Sequence, residues 1–170
     1  MRYFLELAYN GKNYFGWQIQ PNQISVQEAI ENRLSKILGQ EISIVGAGRT
    51  DSGVHAKKMY AHFDYDGELK PDLVKHLNSF LPKDIAIFTI HQMHPEAHAR
   101  FDATARSYNY YISPFKNPFT FESAWVFNRT LDLDKMNDAA QLLIKKGDFG
   151  SFAKIHTDVK TNICDVREAF

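Results

Sequence analysis

Arg49 and Asp51 stand two positions apart inside the run GAGRTDSGVHA, residues 46–56, which also carries three glycines and His55. In extended backbone, side chains two residues apart point the same way, so the guanidinium and the carboxylate can pair. Burial would push the carboxylate's pKa up, and a neighbouring cation opposes that, leaving Asp51 an anion fit to act as nucleophile or base. An ordinary turn-stabilising ion pair fits the same two residues. A phosphate-cradling loop fits poorly, because a dinucleotide fingerprint needs a third glycine opening a helix with an acid about 20 residues on, and here a strand follows. Gly53 suits a positive φ or a close backbone approach beside a working aspartate. His55 reads as a packed, hydrogen-bonded ring rather than a base.

The run HQMHPEAH at 91–98 invites a metal reading, since imidazole and carboxylate suit zinc or iron. Helical spacing would put His94 and His98 on one face, but Pro95 suits a loop or the very start of a helix. No metal is expected. The single cysteine, Cys164, has no partner for an internal disulfide and fits a reducing compartment.

These residues need elements to hold them. Arg2 to Tyr9 alternates Tyr3, Leu5 and Leu7 against Phe4, Glu6 and Ala8, as a half-buried strand does, and Asn10-Gly11 ends it. Ser25-Val26-Gln27-Glu28 is a capping box opening a helix whose stripe is Val26, Ala29, Ile30, Leu34, Ile37 and Leu38, with Gly39 as its left-handed stop. A strand through Ile42 and Ile44 leads into the Arg49-Asp51 loop, and Met59, Ala61, Phe63 and Tyr65 mark the strand leaving it. Pro71 suits the first turn of a second helix, stopped by Pro82, and 85–90 is a further apolar strand.

The first hundred residues thus predict strand, helix, strand, strand, helix, strand: an α+β, ferredoxin-like (RRM-like) half with helices on one face of a mostly antiparallel sheet. A second such half, over 101–170, is expected to open with a strand through Tyr108, Tyr110 and Ile112. Its helix would bury Leu133, Met136, Ala140, Leu143 and Ile144 as core, ending at Gly147. From Ile163 the alternation resumes and stops at Phe170 without a visible strand partner, so this half is expected to be incomplete and the chain a fragment.

Lysine plus arginine equals aspartate plus glutamate at 20 each, so any polyanion must meet a local patch, for which Arg49, Lys57, Lys58, Arg100 and Arg106 are candidates. No apolar run reaches the about 18 residues of a membrane span, and the N-terminus lacks signal-peptide features. The cytoplasm is the expected compartment.

GAGRTDSGVHA resembles the signature loop of the TruA-type tRNA pseudouridine synthases. YNGKNYFGWQIQ at 9–20, SVQEAIE at 25–31, HARFDATARSYNY at 98–110 and GDFGSF at 147–152 resemble family segments in the same order. The resemblance implies an isomerase that converts uridines 38 to 40 of the tRNA anticodon stem-loop to pseudouridine, with Asp51 as the catalytic carboxylate. Cleavage of N1–C1′ and joining of C5 to C1′ involve no redox change, so no cofactor is implied. Attack on C6, attack on C1′ and a glycal route all remain open. Arg49 would position Asp51 and hold the flipped nucleotide. Tyr108 would stack on the base, its phenol being a poor base unless activated. Arg100, Arg106 and Lys57 would meet phosphates.

The family is expected to act as a homodimer. It also continues past this chain's end with a strand and a mixed apolar and basic segment that supplies an active-site arginine, so the isolated piece is expected to be compromised in folding, dimerisation or activity. The rival from another class is a non-catalytic RNA-binding module, since ferredoxin-like sheets with exposed aromatics bind single-stranded RNA by stacking. A weaker rival is a metal-dependent hydrolase centred on His94 and His98.

Overall fold

Alternation along Arg2–Tyr9 becomes strand β1, whose Tyr3, Leu5, Leu7 and Tyr9 are buried while Phe4, Glu6 and Ala8 are only half so. The computed structural model describes residues 1–153 and 161–170. The chain forms two units, Met1–Tyr108 and Asn109–Phe170. The ARSY segment, residues 105–108, lies in the first of these units.

In the first unit β1 is followed by helix α1 (Val26–Leu38), strands β2 (Val45–Gly46) and β3 (Ala56–Asp64), helix α2 (Leu73–Phe80) and strand β4 (Ile85–Met93). The sheet runs β2-β3-β1-β4, every neighbouring pair antiparallel. Val26, Ala29, Ile30 and Leu34 of α1 and Leu73 and Leu77 of α2 join the buried face of β1, with Met59, Ala61 and Phe63 of β3 and Ile85 and Ile87 of β4, in one core. Both helices therefore serve the same sheet face. The Ser25 hydroxyl accepts the Glu28 N–H at 3.1 Å, and Gly39 closes α1 at φ 71°.

Two local departures have side-chain causes. The strand expected through Ile42 and Ile44 forms only at Val45–Gly46, because α1 side chains take the backbone groups a ladder would use. Ser35 Oγ accepts the Ile42 N–H at 2.9 Å, Glu31 Oε1 accepts the Ile44 N–H at 2.7 Å, and Gln27 Nε2 donates to the Ile44 carbonyl at 3.0 Å. On the other edge, the β1-β4 register shifts between Glu6 and Leu7. There Asn78 of α2 donates to the Ile87 carbonyl at 2.7 Å and accepts its N–H at 2.8 Å, docking the helix on the strand.

The second unit contains β5 (Ile112–Ser113) paired in parallel with β6 (Trp125–Val126), helix α3 (Leu133–Gln141), and β7 (Lys146–Asp148) paired antiparallel with β8 (Ile163–Asp165). β8 thus has a partner that the sequence did not reveal. The strand expected through Tyr108 and Tyr110 is confined to Ile112–Ser113, so most of that alternation makes no ladder. α3 is capped by Asp132, whose Oδ1 accepts the Lys135 N–H at 3.1 Å. Its stripe is not core: no residue of α3 is buried, and Leu133 and Met136 are 63% and 43% exposed. Two- and three-residue strands offer too little apolar surface to cover it. Among the described residues, no helix is long and apolar enough to cross a membrane.

Candidate active site

The loop from β2 to β3 carries GRTDSG, and its position follows from a second loop, residues 10–24, lying against it. Trp17 donates its N–H to the Thr50 carbonyl at 3.1 Å, and Gly53 donates to the Tyr14 carbonyl at 3.2 Å. Tyr9 and Thr50 share a hydroxyl hydrogen bond of 2.9 Å, and His55 Nδ1 accepts the Gly11 N–H at 3.1 Å. His55 is thus hydrogen-bonded as expected, but its ring is exposed rather than packed. Gly53 has φ 79°, as its place beside Asp51 suggested.

Contacts this close require glycine. At Gly11 and Gly16 a Cβ would collide with the carbonyl oxygens of Val54 and Thr50, and at Gly46 it would lie 2.5 Å from the Trp17 indole. Gly16 also has φ 82°. The second loop is anchored in turn: Val26 N–H donates to the Gly16 carbonyl at 3.2 Å and Gln27 N–H to the Trp17 carbonyl at 3.0 Å, tying it to the start of α1. Tyr14 hydroxyl donates to Asp84 at 2.6 Å, and burial first, then Asp84, raises its pKa.

Between the two loops opens a groove of about 590 Å³ lined by Phe15, Gln18, Ile19, Gln20, Gln23, Arg49, Thr50, Asp51 and Ser52. Asp51 and Arg49 are both exposed along it. Among the described residues no ion pair joins them and none holds the Asp51 carboxylate, so the turn-stabilising pair is not what this loop forms.

The other expected site residues are placed as follows. Tyr108 is 77% exposed, with a ring free to meet a partner. It acts electrostatically on Tyr9, whose phenol is raised chiefly by burial, against the Thr50 hydrogen bond, with Tyr108 adding to the rise. Arg106 is exposed, and its guanidinium donates to the carbonyls of Ala47 and, at 3.1 Å, Arg100. The Arg100 side chain is exposed, its guanidinium 5.9 Å from the Phe101 ring centre. Lys57 is exposed on β3. Among the described residues no group of three His, Cys, Asp or Glu could hold a metal. His98 spends its Nδ1 on the N–H groups of Arg100 and Phe101, at 3.2 and 3.3 Å.

Fold and groove together define an α+β protein that presents a carboxylate and a guanidinium in an open cleft, on a loop fixed by backbone hydrogen bonds. The sequence profile of the tRNA pseudouridine synthases matches residues 7–102, a span that includes both loops. The chain is 52% identical over 170 residues to the tRNA pseudouridine synthase A of Bacteroides fragilis, covering 99% of this chain and 68% of that protein. It is 51% identical over 169 residues to that of Bacteroides thetaiotaomicron, covering 99% and 63%. To that of Porphyromonas gingivalis it is 48% identical over 171 residues, covering 99% and 68%. The chain belongs to the tRNA pseudouridine synthase family, and it spans roughly two thirds of the length of these relatives.

Proposed function

We propose that this chain carries the catalytic carboxylate of an enzyme that isomerises uridine to pseudouridine in the anticodon stem-loop of tRNA, at positions 38 to 40. The observation that carries the reading is the place of Asp51: exposed, on the lip of the 590 Å³ groove, beside Arg49. The N1–C1′ bond breaks, the C5–C1′ bond forms, the C5 proton is lost to solvent and N1 gains one, so atoms balance without an oxidant or cofactor. Each route to that product uses a carboxylate within reach of the nucleotide. A uridine stacked in a helix is out of reach, so the base must be turned out into the groove. Tyr108, with most of its ring exposed, supplies a surface for it to stack on.

In this reading Arg49 holds the flipped nucleotide, Arg100, Arg106 and Lys57 meet backbone phosphates, and the enzyme works in the cytoplasm as a homodimer. The first unit is a ferredoxin-like half, supported by its strand order β2-β3-β1-β4 with both helices on one face. The test of substrate is tritium release from anticodon stem-loop tRNA made with 5-tritiated uridine, compared with transcripts in which uridines 38 to 40 are replaced by cytidine. Release from the first and none from the second is expected. Equal release from both would overturn the assignment of position.

A further inference from the structure

Residues 97–106 return from β4 to the Asp51 loop as a strap, and each of its holding points is visible. Arg2 donates to the Ala97 carbonyl at 2.9 Å, and Ala97 and Ala99 are buried. His62 of β3, 4% exposed, accepts the Ala99 N–H through Nδ1 at 3.2 Å. Its ring lies 5.7 Å from Phe4 in a stacked pair and meets the edge of His98 at 4.6 Å. The His98 N–H donates to the Asp102 carboxylate at 2.7 Å, which closes the turn. At the strap's end Arg106 donates to Ala47, and a Cβ at Gly48 would lie 3.3 Å from its Nε.

We propose that His62 is a positioning residue for the catalytic loop: by accepting the Ala99 N–H it seats the strap, and the strap's Arg106 fixes Ala47 and Gly48, four and three residues before Asp51. The proposal rests on reading Asp51 as the catalytic carboxylate. The role requires a neutral imidazole, since a protonated ring has donors on both nitrogens and no acceptor. Burial is the main cause that pushes His62 down, to about 4. Arg2 and His98 push the same way, and Asp64 and Asp102 oppose them. Acid therefore replaces the acceptor with a donor facing the Ala99 N–H, and that change should be felt at Ala47.

The test is amide NMR on the whole chain with two variants. His62→Phe keeps a ring to stack on Phe4 and His98 but has no acceptor, whereas His62→Asn keeps an acceptor. In His62→Phe the Ala99 amide should exchange about tenfold faster or more, and the signals of Ala47 to Thr50 should move while that of Leu34 in α1 stays. His62→Asn should restore them at least in part. In the unaltered chain, acid titration should move the Ala99 and Ala47 signals with one shared midpoint below 6.5. Unchanged Ala99 protection in His62→Phe, unmoved Ala47 to Thr50 signals, or separate midpoints would each overturn the proposal. Turnover on tRNA should show kcat falling more than KM rises in His62→Phe. Equal turnover by the parent and by Asp51→Ala would instead count against the reading of Asp51, with the amide signals still deciding the role of His62.

Discussion

Trp17 gives its backbone N–H to the carbonyl oxygen of Thr50 at 3.1 Å, so the residue immediately before Asp51 is held from the side of the 10–24 loop. The Tyr9 hydroxyl holds the same residue through its side chain at 2.9 Å. The carboxylate can thus stand in an open groove without wandering, because the backbone that carries it is fixed at the preceding position.

Tyr9→Phe should isolate the side-chain half of that hold. Tyr9 is 4% exposed, so the variant keeps its packing and loses the hydrogen bond to Thr50, worth about 1 kcal/mol, together with the weaker contact to the Met59 sulfur at 3.5 Å. Denaturant unfolding should show that loss, and the Thr50 amide signal should shift. A variant as stable as the parent with Thr50 unmoved would mean the bond contributes nothing.

Two glycines with positive φ should respond differently to alanine. Gly39 has φ 71° with open space where a Cβ would be, so Gly39→Ala should cost about 1 kcal/mol for the backbone alone. Gly16 has φ 82° and its Cβ would meet the Thr50 carbonyl oxygen. Gly16→Ala should therefore cost more and displace the Asp51 loop, which amide shifts at 49–52 would report. Equal costs with no loop shifts would contradict the interlocking of the loops.

The two units should differ in their response to core-type truncation. Ile30→Ala removes a fully buried side chain of α1 and should cost about 2–5 kcal/mol. Met136→Ala on α3, at 43% exposure, should stay within about 0.5 kcal/mol. Urea unfolding of both variants checks the contrast.

Stability should fall with acid in two windows. His62 has a folded pKa of about 4 against an ordinary 6.5, so the unfolded chain binds more protons between these values. Its contribution is complete above 6.5 and is lost as pH falls toward 4. Asp64 is lowered first by its hydrogen bond from Arg2, despite some burial, so its contribution is present above 3.8 and is lost below that. In unfolding curves against pH, His62→Asn should flatten the upper window and Asp64→Asn the lower. A parent curve flat from 6.5 to 4 would contradict the first.

Much of the first unit was legible because alternation and helical stripes report directly on burial: Tyr3, Leu5 and Leu7, and Val26, Ile30 and Leu34, all face the core. Asp51 and Arg49 were legible as chemistry-bearing types at an extended spacing. The interlock with Tyr9, Gly11, Gly16 and Trp17 was not, since closeness between residues 41 or 44 positions apart leaves only an indirect trace, glycines set among aromatics. His62 was hidden inside an apolar strand, where its neighbours suggest packing rather than an acceptor. Ile42 and Ile44 read as strand because pattern shows which side is buried and cannot show that α1 side chains take the backbone hydrogen bonds. The stripe of α3 misled for the converse reason, since periodicity describes a face and not what covers it.

The proposed role of Asp51 as the catalytic carboxylate can be checked by tritium release from tRNA carrying 5-tritiated uridine, with tRNA binding measured alongside, for the parent and for Asp51→Ala. Asp51 is exposed and holds no partner among the described residues, so the variant should fold and bind as the parent does. Release by the parent and none by Asp51→Ala, at equal binding, is the expected result. Release by Asp51→Ala at the parent's rate would contradict it.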